Sequence, residues 1–184
     1  PGPLVLVCGA VGIGKSTAAR VAQEALGGAT IASDRVRKRL AGLAPTDRMR
    51  GADLDALYAE GVTEQVYAAV LERAEPLLSS GRAAILDATY SRRRHREAAQ
   101  RFAAARGSES LLIELRCTRD VALSRLAARV ARGADPSDAG PERYDASVAA
   151  FEAPEEWPPG AHLVIETDRE GWQGRLAAAI SSRR

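Results

Sequence analysis

Five short apolar runs, at residues 4–8, 29–32, 83–87, 110–116 and 162–166, alternate along the chain with longer stretches of a different rhythm. Runs of this length without internal polar alternation read as strands buried on both faces. Apolar residues at helical spacing cover residues 15–26, 35–40, 63–79, 92–106, 119–132, 142–151 and 170–182. Thr63, Ser91 and Thr118 stand where N-caps are expected, and Gly27, Gly81, Gly107 and Gly133 where helices stop. Strand and helix in alternation predict an α/β fold, a mostly parallel, doubly wound sheet covered by helices. Residues 42–51 and 133–141, rich in Gly, Pro and Asp, read as loops, and no internal repeat is present.

Composition narrows the class. With 184 residues, 46% of them hydrophobic, the chain suits one globular domain and is too apolar for a disordered one. No apolar run approaches the roughly 20 residues of a membrane-spanning helix, so no membrane partner is expected. The 26 basic and 24 acidic residues give a net charge of +2, which by itself implies no polyanion. Lys15 and Lys38 are the only lysines; the other 24 cations are arginines. Cys8 and Cys117 are too few for a disulfide framework and read as buried, reduced thiols of a cytoplasmic protein. The start, Pro1-Gly2-Pro3 followed by an apolar run, lacks the charged segment of a signal peptide. It also lacks an initiator Met, as an excised domain or a trimmed terminus would.

The first predicted strand runs into Gly9-Ala-Val-Gly12-Ile13-Gly14-Lys15-Ser16-Thr17, a complete G-x-x-x-x-G-K-S motif that opens a helical pattern. Strand, glycine loop and helix are the context in which this motif is a phosphate-binding (Walker A) loop. Backbone N–H groups from Gly9 to Thr17 would wrap phosphate oxygens, and the helix would point its positive end at them. Lys15 would reach the β- and γ-phosphates, and Ser16 would ligate Mg²⁺. The sequence contains no Asn, so the Asn-Lys-x-Asp guanine reader is absent and ATP is favoured over GTP.

In open α/β sheets ligands bind beyond the carboxyl ends of the strands. The second strand leads into Ser33-Asp34-Arg35-Val36-Arg37, and the third ends in Leu86-Asp87-Ala88-Thr89. Two carboxylates beside a γ-phosphate suit phosphoryl transfer: one takes the proton of an attacking hydroxyl, the other holds Mg²⁺ or its water. The structural alternative for each is a helix cap or a strand terminator.

Taken together, the Walker A loop, Ser33-Asp34-x-x-Arg37, Leu86-Asp87-Ala88-Thr89 and an arginine-bearing helix resemble the small P-loop kinases. That group includes gluconate kinase, chloramphenicol phosphotransferase and the kinase domain of polynucleotide kinase. The chain is more similar still to a bacterial predicted-kinase domain often fused behind an aminoglycoside-phosphotransferase-like domain, which has a stretch like Ser137-Asp138-Ala139 after its lid. The resemblance implies a three-layer P-loop NTPase fold, with a five-stranded parallel sheet and a short lid at about residues 119–141. It implies a kinase that phosphorylates a small-molecule hydroxyl, with Asp34 as general base, Arg37 on the acceptor, and a possible fused upstream domain. It also implies that lid arginines close on the phosphates. Arg129 and then Arg125, four residues apart on one helical face, are the candidates, with Arg132 following.

Arg92-Arg93-Arg94-His95-Arg96 opens a helix with cations, against the helix dipole. Residues 92–106 hold six Arg and one Glu. Just past Asp87 and Thr89, this cluster, with Arg96 in it, could bind acceptor phosphates, a nucleic-acid backbone or an acidic partner, or be a solvated face. His95 has no metal-ligand spacing around it. Trp157 and Trp172 read as packing residues, while Tyr58, Tyr67 and Tyr90 lie where an acceptor pocket could form. Two further readings remain at this point: a 5′-hydroxyl polynucleotide kinase, and an ATP-binding regulatory module without catalysis.

Overall fold

Along the first strand, β1 (Leu4–Cys8), Leu4, Leu6 and Cys8 join one apolar cluster while Val5 and Val7 join another. Period-two alternation in a strand with all five residues buried therefore builds two cores, one on each face of a sheet. The computed structural model describes residues 1–47, 49, 51–132 and 140–183. The sheet is wholly parallel in the order β2 (Ala29–Ala32), β3 (Ala84–Asp87), β1, β4 (Ser110–Arg116) and β5 (His162–Glu166). Because β3 and β4 flank β1 on opposite sides, the crevice at the carboxyl end of β1 is the topological switch point.

One face of the sheet is covered by α1 (Lys15–Leu26) and by residues from α6 (Arg119–Arg132) and α8 (Trp172–Ser181). The other is covered mainly by α4 (Glu60–Ser79) and α5 (Arg93–Ala104), with Val36 of α2 (Ser33–Leu40) and Trp157. The three-layer α/β architecture with a five-stranded parallel sheet is thus as expected. Trp157 and Trp172 are both buried in these cores. No helix among the described residues is long and apolar enough to cross a membrane.

Several local expectations are corrected. Residues 51–57, for which the pattern predicts the end of a loop and no helix, form α3 (Gly51–Leu57), whose buried side is only Leu54 and Leu57, too little periodicity to read. Helix α4 begins at Glu60, so Thr63 is not its cap; its hydroxyl instead accepts a hydrogen bond from Arg37. The stretch expected as one helix over 142–151 is a 3₁₀ turn, Pro141–Arg143, followed by α7 (Tyr144–Ala149). Ser91 does not cap α5; the N–H of Arg93 donates to the Glu152 carboxylate at 2.6 Å, a cap supplied from far along the chain. The expected stop at Gly133 and the Ser137-Asp138-Ala139 stretch lie outside the described residues, as does most of the loop expected after α6.

Candidate active site

The loop between β1 and α1 is shaped by its glycines. Gly9, Gly12 and Gly14 have φ of +137°, +79° and +100°, conformations that side chains resist. A Cβ on Gly12 would stand 2.7 Å from Leu126 Cγ and 2.8 Å from the Ala122 carbonyl, so the loop can lie against α6 only with glycine there. The Gly9 N–H donates to the Thr89 carbonyl at 3.0 Å, tying the loop to the segment after β3. Helix α1 has no side-chain cap and no acidic residue in its first turn. Its leading N–H groups and dipole therefore face the loop uncompensated, the arrangement that receives phosphate oxygens.

Lys15 Nζ donates to the carbonyls of Gly9 at 3.1 Å and Ala10 at 2.6 Å. Burial holds the Lys15 ammonium below the usual lysine range; Asp87 and Asp34 oppose that shift and Arg129 adds to it. Four side chains singled out in the sequence, Lys15, Asp34, Asp87 and Arg129, thus share one electrostatic neighbourhood. Ser16 is exposed at the start of α1, Thr17 is half-buried and Ile13 is buried. Asp87 ends β3, in register with Val7 of β1 and Ala32 of β2, which sets it at the rim below the loop. The Ser16 hydroxyl and Asp87 carboxylate are hard oxygen donors of the kind Mg²⁺ takes, so the donor set fits that ion.

The side of the site where the sequence leads one to expect an acceptor is built from α2, α3 and α4. The Tyr58 hydroxyl donates to Asp34 Oδ1 at 3.0 Å, while the Tyr58 ring lies 4.4 Å from the Arg37 guanidinium and 4.9 Å from that of Arg143. Arg37 Nη1 donates to the Leu57 carbonyl at 2.9 Å and Thr63 Oγ1 at 3.2 Å. Thr89 Oγ1 is 3.2 Å from the Tyr67 hydroxyl, which also accepts from the Tyr90 N–H at 3.1 Å. That second bond holds Tyr90 at φ 45°, a left-handed conformation costly for an aromatic residue. Burial pushes the Tyr67 hydroxyl up, and its ring stacks on His95 at 4.0 Å, whose Nε2 is 2.8 Å from Glu64. His95 is therefore a packing partner of Tyr67. Of the three tyrosines that had no geometry in the sequence, Tyr58 and Tyr67 carry the polar framework.

Two arginines do something other than expected. Arg96, expected on the acceptor, is fully buried: Nε and Nη2 donate to Glu156 at 2.5 and 3.1 Å, and Nη1 donates to the Tyr90 carbonyl at 2.8 Å. A guanidinium enclosed in this way is a packing element that ties α5 to the segment before β5. Arg125 donates from Nη1 to Thr167 Oγ1 at 2.9 Å and the Ile13 carbonyl at 3.3 Å, and from Nη2 to the Thr167 carbonyl at 2.7 Å. Thr167 Oγ1 donates to Ile13 at 2.7 Å, so the pair braces the phosphate loop. A second brace, also silent in the sequence, is Ser147 Oγ, which accepts from the Val11 N–H at 3.1 Å.

The basic cluster is likewise compensated, by one carboxylate of its own helix and by others brought in by the fold. Arg92 pairs with Glu152 at 3.1 Å, Arg93 with Glu97 at 2.7 Å, and Arg94 with Glu60 and Glu64 at 2.8 and 2.7 Å. Lys38 is almost fully buried, with Nζ donating to the carbonyls of Pro45 at 3.2 Å and Asp47 at 2.5 Å, which fastens the turn after α2.

The sequence matches the AAA domain family over residues 4–154. The chain belongs to that family. This AAA domain is 37% identical over 169 residues to uncharacterized proteins of Mycobacterium tuberculosis and Mycobacterium bovis, covering 91% of the chain and 32% of theirs. It thus spans about a third of the length of those curated relatives. Among solved structures, a gluconokinase from Sinorhizobium meliloti superimposes with a TM-score of 0.67 at 19% identity, over 100% of this chain and 93% of that one. The APS kinase of Mycobacterium tuberculosis gives 0.64 at 16%, over 97% and 95%. Kti12 of Chaetomium thermophilum, in complex with ADP-AlF3, gives 0.71 at 17%, over 98% of both. The AAA domain therefore has a small P-loop, kinase-like fold, the one these structures share.

Proposed function

We propose that this domain is an ATP-dependent kinase that transfers the γ-phosphoryl group to a hydroxyl of a small molecule. The observation that carries the reading is the Asp34 carboxylate, held by Tyr58 on the same rim as Lys15 and Asp87. In this reading the uncapped N-terminus of α1 and the amides of residues 9–17 receive the β- and γ-phosphates, with Lys15 moving from the Gly9 and Ala10 carbonyls onto them. Ser16 and Asp87 would hold Mg²⁺, which spreads charge away from the β- and γ-oxygens when bound. Asp34 accepts the acceptor hydroxyl's proton as its oxygen bonds to the γ-phosphorus and the bond to the β–γ bridging oxygen breaks, releasing ADP. Arg129, in the field of Lys15, closes on the transferred group, while Arg125 keeps the loop rigid. Thr89 and Tyr67 line the acceptor wall. Working on ATP in the cytoplasm, the domain would serve as one module of a longer protein.

The polynucleotide kinase reading loses its electrostatic support, because the cations of residues 92–96 are paired with carboxylates. A regulatory module would have no use for a carboxylate held by a tyrosine beside the phosphate loop. ATP consumption measured across sugars, hydroxy acids, nucleosides, aminoglycosides and oligonucleotides tests the proposal. Asp34→Ala is expected to bind ATP and lose transfer; transfer at the wild-type rate by that variant would overturn the assignment.

A further inference from the structure

The two edges of the sheet are finished differently. At the β2 edge the Ala29 N–H donates inward to the Ala83 carbonyl at 3.0 Å, so by strand alternation the Thr30 N–H points outward. There it donates to Gln23 Oε1 of α1 at 2.9 Å, and a side chain occupies the outward donor of that edge. At the β5 edge the Thr167 N–H donates inward to the Arg116 carbonyl at 2.8 Å. The same alternation turns the N–H and C=O groups of His162, Val164 and Glu166 outward. No strand lies beyond β5, and among the described residues no side chain is bonded to the Val164 N–H or C=O.

Nothing else blunts this edge. β5 holds no proline, glycine or lysine, and Val164 at its centre is 45% exposed, on the face that also bears His162 and Glu166. An open edge of this kind is a template for another strand. The sequence of β5, His-Leu-Val-Ile-Glu, is complementary to itself when read antiparallel about Val164. Val164 then meets Val164, Leu163 meets Ile165, and His162 meets Glu166 at both ends. His162 Nε2 is 2.9 Å from Glu114, which leaves Nδ1 for the carboxylate of the second copy. Apolar side chains oppose apolar ones and imidazole opposes carboxylate, whereas a register shifted by two residues sets Glu166 against Val164. The outward-facing residues are also those that this register places in hydrogen-bonded pairs, so each pair exchanges both of its N–H···O bonds.

We propose that two copies of this chain associate through β5, antiparallel about a two-fold axis at Val164, and join their five-stranded sheets into one. The two-fold runs the strands of one copy opposite to those of the other, so the two phosphate loops open at opposite ends of the joined sheet. The association is therefore independent of the kinase reading.

Sedimentation equilibrium of the purified chain from about 1 to 100 µM reads the association directly. A species of twice the chain mass is expected for the wild type. Val164→Lys sets two ammonium groups against each other at the two-fold and is expected to raise the dissociation constant about 10-fold or more, with an unchanged far-UV circular dichroism spectrum. A wild type of single chain mass throughout this range, or a dimer indifferent to Val164→Lys, overturns the proposal. Disulfide trapping reads the register, because opposite residues of a hydrogen-bonded antiparallel pair have Cα atoms about 5.5 Å apart, within disulfide reach. Under mild oxidation Val164→Cys is expected to give a cross-linked dimer. Glu166→Cys, also exposed but opposite His162 of the second copy, is expected to give none. Equal cross-linking of both variants, or none from Val164→Cys above the wild-type background of Cys8 and Cys117, overturns the pairing.

Discussion

The Tyr58 hydroxyl donates to Asp34 Oδ1 at 3.0 Å from 24 positions away, and so orients that carboxylate. The ring behind that hydroxyl is flanked by Arg37 of α2 and Arg143 of the 3₁₀ turn that leads into α7. Removing the hydroxyl alone, Tyr58→Phe, keeps the ring contacts and frees the carboxylate. A fall in kcat of about 3–10-fold is expected, the worth of one hydrogen bond, with an unchanged KM for ATP. Steady-state kinetics on the acceptor found by the screen provide the check, and an unchanged kcat would deny Tyr58 a part in positioning Asp34.

Gly12→Ala places a Cβ against Leu126 and the Ala122 carbonyl at φ +79°. Backbone strain of about 1–3 kcal/mol adds to the clash, and either the loop or α6 must move. Thermal unfolding should show a lowered midpoint, and calorimetric titration should show loss of nucleotide binding. Full affinity in this variant would mean that the nucleotide does not depend on the loop conformation described above.

Arg96 and Glu156 form a buried pair, so breaking one side leaves the other uncompensated. Arg96→Met is expected to cost about 3–5 kcal/mol in denaturant unfolding, and the double variant with Glu156→Leu to recover part of it. A fall in acceptor affinity at unchanged stability would instead restore the binding role read from the sequence.

Cys8, at the end of β1, is buried, and desolvation, helped by Glu114, pushes its thiol up to about 12 from an ordinary 9.0. The unfolded chain therefore releases the thiol proton first as pH rises. This contribution to stability is complete below pH 9.0 and is lost on the way to about pH 12. The loss amounts to about 1.4 kcal/mol per pH unit in that window. Cys8→Ala should flatten the alkaline slope measured by denaturant unfolding. An identical slope would assign it to other groups, of which Tyr67 and Tyr90, both held up by burial, are the first to examine.

What the amino-acid order determined by itself is local. The boundaries of β1, β2, β4, β5, α1 and α6 follow from short apolar runs and helical spacing, and the phosphate loop follows from glycines that only a strand-to-helix turn requires. Asp34 and Asp87 were legible because strand ends are where such sheets bind ligands. Tertiary structure decided everything that depends on a partner far away in sequence. Charge is additive along a segment, so residues 92–106 read as an excess of cations until Glu60 and Glu64 of α4 and Glu152 and Glu156 of the stretch before β5 arrive from two other segments. Tyr58 and Thr167 carry no motif, and their roles exist only where a hydroxyl meets Asp34 or the Ile13 carbonyl. Arg37 and Arg96 are the same residue type in equally basic surroundings; burial with a carboxylate made one a packing element, and burial without one left the other unsatisfied.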